Sequence, residues 1–147
     1  MKKLLTAFGF IAVFAASSLV SAKTIEVTSN DTMKFNVSEI ETEVGVETTL
    51  TLINEGKIPK AAMGHNLVIL KPGADLASFG NAAVTAAAND YIPTAEDMAA
   101  LIIANTKVLG PGESDTIVFT IDEPGNYPFI CSFPGHWALM KGILTVK

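Results

Sequence analysis

Residues Ser114 to Lys147 read SDTIVFTIDEPGNYPFICSFPGHWALMKGILTVK, and this stretch decides the fold. Ile117, Phe119 and Ile121 recur at every second position, the period of a strand with one buried face. Pro124-Gly125-Asn126 then demands a turn, because proline presets φ and glycine and asparagine tolerate the left-handed region. Tyr127 to Cys131 resumes the alternation, with Tyr127, Phe129 and Cys131 on one face. Pro134-Gly135 marks a further turn, and Lys141 to Lys147 supplies another strand.

The same signals run upstream. Lys23 to Thr28, Glu39 to Val44 and Glu47 to Asn54 read as strands, and Leu101 to Leu109 is extended from about Ile103. His65 to Leu70 (HNLVIL) is an apolar run of the buried type. Turns fall at Glu55-Gly56, Pro72-Gly73 and Gly110-Pro111-Gly112. Short strands at this spacing predict an all-β sandwich. One stretch departs from it. Ala74 to Asp90 is alanine-rich and predicts a helix, and Thr94 to Ala100 opens on the capping-box pattern Thr94-x-x-Asp97. A helical insertion of about 25 residues is therefore expected within the sandwich.

With 147 residues the chain has room for one domain, and 49% hydrophobic against 17% charged residues is a globular composition. Ten lysines, with no arginine, face 15 acids for a net charge of −5, which speaks against a nucleic-acid partner. The single cysteine excludes an internal disulfide. Lys2 and Lys3, the apolar Leu4 to Ala16 and the small residues Ser17 to Ala22 have the layout of a secretory signal peptide, with cleavage expected after Ala22. The competing reading is an uncleaved anchor, since about 20 apolar residues span a bilayer. The domain is then Lys23 to Lys147, with eight lysines against 15 acids, a charge of −7. Export to the periplasm, with no membrane insertion of the mature chain, is the expected location.

Cys131, His136 and Met140 are spaced C-x4-H-x3-M across the loop between the last two strands, and the only other histidine, His65, opens an earlier strand. Taken singly, each has an ordinary reading: a buried small cysteine, a core methionine, a surface histidine. Together, a thiolate, two imidazoles and a more distant thioether form the donor set of a blue-copper electron-transfer centre. Zinc would accept the same cysteine and histidines without redox chemistry. No nucleophile–base pair or second metal set suggests an enzyme.

The segments MGHNLVIL at 63–70 and CSFPGHWALMKGILTVK at 131–147 resemble the azurins, a group of blue-copper cupredoxins. Asn30 to Asn36, Ile58-Pro-Lys60 and Thr106 to Gly110 also match, so the resemblance spans the whole mature chain. It implies a Greek-key sandwich of about eight strands with a helical flap, binding one type 1 copper ion through His65, Cys131 and His136. Met140 would be the axial thioether and Gly64 the glycine whose carbonyl approaches from the other side. Asn66 and Phe133 would form the layer around these ligands, Asn66 by tying the two ligand loops together. An apolar docking patch around His136 would comprise Met33, Ile58, Ala62, Met63, Phe133, Pro134 and Ala138, with Trp137 on its rim and Leu139 falling in the core. The implied partners are redox proteins: a donor such as a c-type cytochrome, and an acceptor reductase or oxidase. Copper trafficking or storage on the same fold is the alternative. The chain departs from the pattern in lacking a disulfide, in Leu67 where many azurins place a tryptophan, in Trp137 where a small residue is usual, and in Asn54 where some carry a third histidine. With both histidines used as ligands, no third-histidine pH switch is expected.

Overall fold

The computed structural model describes residues 21–147, so the expected signal peptide, residues 1–22, falls outside the described residues except for its last two. The strands are β1 (Lys23–Asn30), β2 (Lys34–Phe35), β3 (Glu39–Thr42), β4 (Thr48–Asn54), β5 (Val68–Leu70), β6 (Ile102–Asn105), β7 (Ser114–Phe119), β8 (Gly125–Ile130) and β9 (Lys141–Val146). They form a four-stranded sheet in the order β2-β1-β4-β7 and a five-stranded sheet in the order β3-β9-β8-β5-β6. β1 runs parallel to β4 and β3 parallel to β9, and the remaining pairs are antiparallel. The strand beyond the expected eight is the two-residue β2, which folds back on the end of β1 through a turn closed by Met33 N–H on the Asn30 carbonyl.

The two sheets face each other across a core that includes Val27, Leu50 and Leu52 from one and Ile69, Phe129 and Leu144 from the other. β4 shows the alternation at its clearest, with Thr48, Leu50, Leu52 and Asn54 buried and the residues between them half-exposed. β5 is different, being buried at all three positions. Ile69 faces the sandwich, whereas Val68 and Leu70 face a second cluster with Phe79 and Ile130. That double burial is why the HNLVIL segment is a continuous apolar run.

The second cluster is roofed by the helical insertion. Besides α1 (Lys60–Met63), the helices are α2 (Leu76–Val84) and α3 (Glu96–Ala99). α2 is shorter than the expected helix over Ala74 to Asp90. Asp75 starts it by accepting from the N–H groups of Ala77 and Ser78. After Val84 the alanine run tightens into a 3₁₀ turn at Ala87–Asn89, and Asp90 and Tyr91 take left-handed φ of 52° and 57°. No α-helix continues through two such residues. The expected capping box does not form either: α3 begins at Glu96 behind an extended Ala95, which leaves Thr94 one residue too early to cap it.

Trp137 packs against this second cluster, half-buried over α2. A Cβ on Gly80 would lie 2.2 Å from its Cδ1, so α2 needs a glycine there to admit the indole. No helix among the described residues is long and apolar enough to cross a membrane.

Two outcomes are expected. Gly80→Ala should shift the emission of the chain's single tryptophan to the red and lower Tm, because the ring must leave its seat. Asp75→Ala should lower Tm at neutral pH. Hydrogen bonds from the Ser78 amide, the Ser78 hydroxyl and the Ala77 amide hold the Asp75 carboxyl below its ordinary value. Its stabilisation is thus complete above the unfolded pKa of about 3.9 and is lost as pH falls through the lowered native value. Thermal melts of parent and variant should therefore converge on acidification.

Candidate metal centre

Local turns explain how one loop delivers three side chains to a point. Phe133-Pro134-Gly135-His136 closes with His136 N–H on the Phe133 carbonyl at 3.0 Å, and Gly135 takes φ +80°. Proline second and a positive-φ glycine third are the requirements of a type II turn. A helical turn follows, with the His136 carbonyl accepting from Leu139 and Met140 at 3.1 and 2.8 Å. The Cys131 N–H then bonds the Met140 carbonyl at 2.9 Å and shuts the base of the loop. The C-x4-H-x3-M spacing is this pair of turns.

His65 arrives from the other segment. It lies just before β5 rather than within it, held by an isolated two-bond bridge to Leu109. Gly64 precedes it in a crowded place. A Cβ there would meet Val108, the Lys60 carbonyl and Phe133 at 2.6, 2.8 and 3.0 Å, so only glycine fits. The segments are joined by Asn66, whose Oδ1 accepts Ser132 N–H at 2.8 Å and whose Nδ2 donates to Ser132 Oγ at 2.8 Å. Asn66 Nδ2 also reaches the Asp90 carbonyl, and Ser132 Oγ donates to the Tyr91 carbonyl at 2.8 Å. The left-handed pair at the end of the insertion is therefore pinned to the ligand loops.

The Nδ1 atoms of His136 and His65 lie 3.6 and 4.0 Å from Cys131 Sγ, and the three donor atoms fall within 4.8 Å of one another. Donors held at about 2.0–2.3 Å from one ion in a trigonal plane are about 3.5–4.0 Å apart, so the set fits a single metal ion. Met140 is fully buried and packs with Cys131, Val108 and Phe133. Phe133 is itself buried and lies against the His136 ring at 4.8 Å, with Tyr91 edge-on behind it at 5.0 Å.

Burial governs the charges. It pushes the Cys131 thiol up to about 12, against the pull of the Asn66 and Phe133 amides on the sulfur. It lowers His65, and with the neighbouring His65 ring it lowers His136 to about 4. The rings are thus neutral, as ligands must be, and the thiol becomes a thiolate only when a cation takes its proton's place. His65 Nε2 is buried without a hydrogen-bond partner, although the Asn30 carbonyl and Asp31 lie close enough to favour a proton on that ring.

The remaining candidate residues divide. Ile58, Ala62 and Ala138 are exposed, while Met33, Met63 and Pro134 are half-buried. Leu139 corrects the expectation of a core residue: it is 65% exposed, because the turn from His136 sends Met140 inward and its neighbour out. Trp137 is directed at α2 instead of standing free on the rim. No motif in the sequence marks Ser132, Asp90 and Tyr91, which buttress the loops through backbone and hydroxyl groups. Asn54, which in the sequence is only a departure from the azurin pattern, is buried.

The profile of a family described as copper binding proteins, plastocyanin/azurin family, matches residues 21–147. Azurin-2 of Alcaligenes xylosoxydans xylosoxydans is 42% identical over 124 residues, 82% of this chain and 94% of that protein. Azurin of Alcaligenes faecalis is 38% identical over 126 residues, 83% of this chain and 96% of that protein. The structure of dithionite-reduced auracyanin from Roseiflexus castenholzii superposes with a TM-score of 0.75 at 37% identity, covering 86% of this chain and 98% of that one.

Asn66→Leu should destabilise the apoprotein by about 1–3 kcal/mol, the cost of leaving the buried Ser132 N–H without an acceptor. Urea unfolding of the apoprotein checks it, with an unchanged midpoint as the contrary result.

Proposed function

The chain belongs to the copper-binding plastocyanin/azurin family, and from that premise we propose that it is an exported one-electron carrier. Its cofactor is a single type 1 copper ion, for which His65, Cys131 and His136 form the ligand group with Met140 beside it. When bound, copper supplies one-electron chemistry between Cu(I) and Cu(II). The observation that carries the proposal is the convergence of a thiol, two imidazoles and a thioether at a buried point, on loops whose geometry is determined by hydrogen bonds.

The chain's own residues do the following work. His65, Cys131 and His136 present donors of mixed softness, acceptable to both oxidation states. The Asn66 and Phe133 amides point at the Cys131 sulfur and stabilise negative charge there, which tunes the centre. Asn66 and Ser132 hold the two ligand segments in one register, so little has to move when the charge changes. Gly64, where a Cβ would collide with Val108 and Phe133, would offer its backbone carbonyl as a further oxygen donor to the ion. Val108, Phe133 and Met140 exclude water.

His136 is 4% exposed and is the ligand on the loop that carries the exposed Ala138 and Leu139. With Ile58 and Ala62, also exposed, these side chains would form the apolar surface on which a redox protein docks, bringing the two centres close. The donor would be a protein such as a c-type cytochrome and the acceptor a reductase or oxidase. The excess of acids favours basic partner surfaces and makes association rates fall with salt. Periplasmic location, after removal of residues 1–22, follows from the basic, apolar and small-residue order of that segment.

Titration of the mature apoprotein with Cu(II) should produce an intense thiolate-to-copper band that saturates at one equivalent. The band should bleach with reductant and be absent in Cys131→Ser. Copper that binds without this band, and passes readily to a chelator, would replace electron transfer by copper trafficking.

A further inference from the structure

Asn54 is 1% exposed, ends the buried column of β4, and uses all of its hydrogen-bonding groups. Its N–H bonds the Glu113 carbonyl at 2.9 Å, and its carbonyl accepts Gly112 N–H at 2.8 Å. Its Oδ1 accepts Gly56 N–H at 2.9 Å. Its Nδ2 donates to the Leu109 carbonyl at 3.1 Å. That carbonyl is also the acceptor of His65 N–H at 3.1 Å, and Leu109 N–H returns a bond of 2.7 Å to the His65 carbonyl. His65 has no strand ladder of its own at this point, only this bridge.

We propose that Asn54 is a positioning residue for the metal centre, locating His65 through the Leu109 carbonyl. The inference rests on His65 being a copper ligand. A carbonyl has two lone pairs, and here one is taken from the His65 side and the other from the Asn54 side. Leu109 is thereby held between a strand of the opposite sheet and the ligand backbone. The turn that follows it is pinned as well, since Gly110 N–H bonds the Glu113 carboxylate at 2.7 Å. The choice of residue follows from the two limbs. A carboxylate could accept from Gly56 but could not donate to Leu109, and an apolar side chain could do neither. Thr48, at the other end of the same buried column, bonds only Thr42 Oγ1 and the Val46 carbonyl, far from the ligands. It is a polar core residue without a part in the site.

The decisive variant is Asn54→Asp, which keeps the acceptor for Gly56 and removes the donor to Leu109. Three readouts apply: hydrogen exchange at the His65 amide in the apoprotein, Cu(II) affinity, and the position of the thiolate-to-copper band. The expected result is exchange at His65 accelerated by about tenfold or more, copper affinity reduced by about tenfold, and a displaced band. Thr48→Val serves as the control for a buried hydrogen bond lost at the far end of β4, and should move none of the three. Should Asn54→Asp fail to fold, Asn54→Ser, too short to reach Leu109, takes its place with the same expected results. His65 exchange and copper affinity at parental values, or equal changes in Thr48→Val, would overturn the proposal. A parent that lacks the thiolate-to-copper band would overturn the electron-carrier reading instead. The His65 exchange comparison, made without copper, would still decide whether Asn54 holds that residue.

Discussion

The side-chain amide of Asn66, bonded at both ends to Ser132, is the interaction on which the rest depends. One ligand histidine precedes β5 and the thiol and second histidine follow β8. Nothing in either segment alone obliges them to meet. β5 and β8 pair for only two residues, Val68 with Ile130 and Ile69 with Phe129, and that ladder stops short of the ligands. Beyond its end the Asn66–Ser132 clamp continues the alignment in place of main-chain bonds. The ligand positions are therefore set by hydrogen bonds between the chain's own side chains and backbone, which orient the donors from outside.

The helical insertion serves the same end by a different route. Its far side roofs the second hydrophobic cluster, and its last turn delivers the Asp90 and Tyr91 carbonyls to Asn66 and Ser132. To do so, two consecutive non-glycine residues adopt positive φ, each unfavourable by about 1–2 kcal/mol. Partly buried hydrogen bonds to both carbonyls and the edge-on contact of Tyr91 with Phe133 offset that strain. Trp137 adds a further contact between the ligand loop and α2, made possible by the absence of a side chain at Gly80. The insertion is thus a brace across the ligand loops as well as a cover for β5.

Burial and charge work together at the centre. An enclosed thiol with a pKa of about 12 and histidines lowered below neutrality are the state of donors removed from water. The same exclusion of water that disfavours a free thiolate strengthens its bond to a cation. The two backbone amides aimed at the sulfur, from Asn66 and Phe133, lie on the residues that also clamp the loops and pack on His136. Electrostatic tuning and mechanical support are thus carried by the same few residues.

The strands, the donor set and the helical insertion were legible in the amino-acid order because each follows from a local rule. Period-two alternation marks Leu50 and Leu52, Pro134-Gly135 marks a turn, and C-x4-H-x3-M places three donors within one loop. What depended on partners from elsewhere in the chain was not legible. The alanine run does not stay helical to Asp90: it passes into a 3₁₀ turn, and Asp90 and Tyr91 take left-handed φ with their carbonyls bonded to Asn66 and Ser132. Leu139 lies outside and Met140 inside because a turn anchored on His136 chooses between two neighbouring apolar residues of similar hydrophobicity. Asn54 reads as the polar end of a strand until the Leu109 carbonyl is seen to be shared with His65. The sequence by itself determined which atoms are able to bind metal and which segments become strands, since these are properties of residues and their near neighbours. The tertiary structure alone decided how the donors are held and which apolar side chains remain at the surface, because hydrogen bonds and packing between residues dozens of positions apart exist only after the sheets have closed.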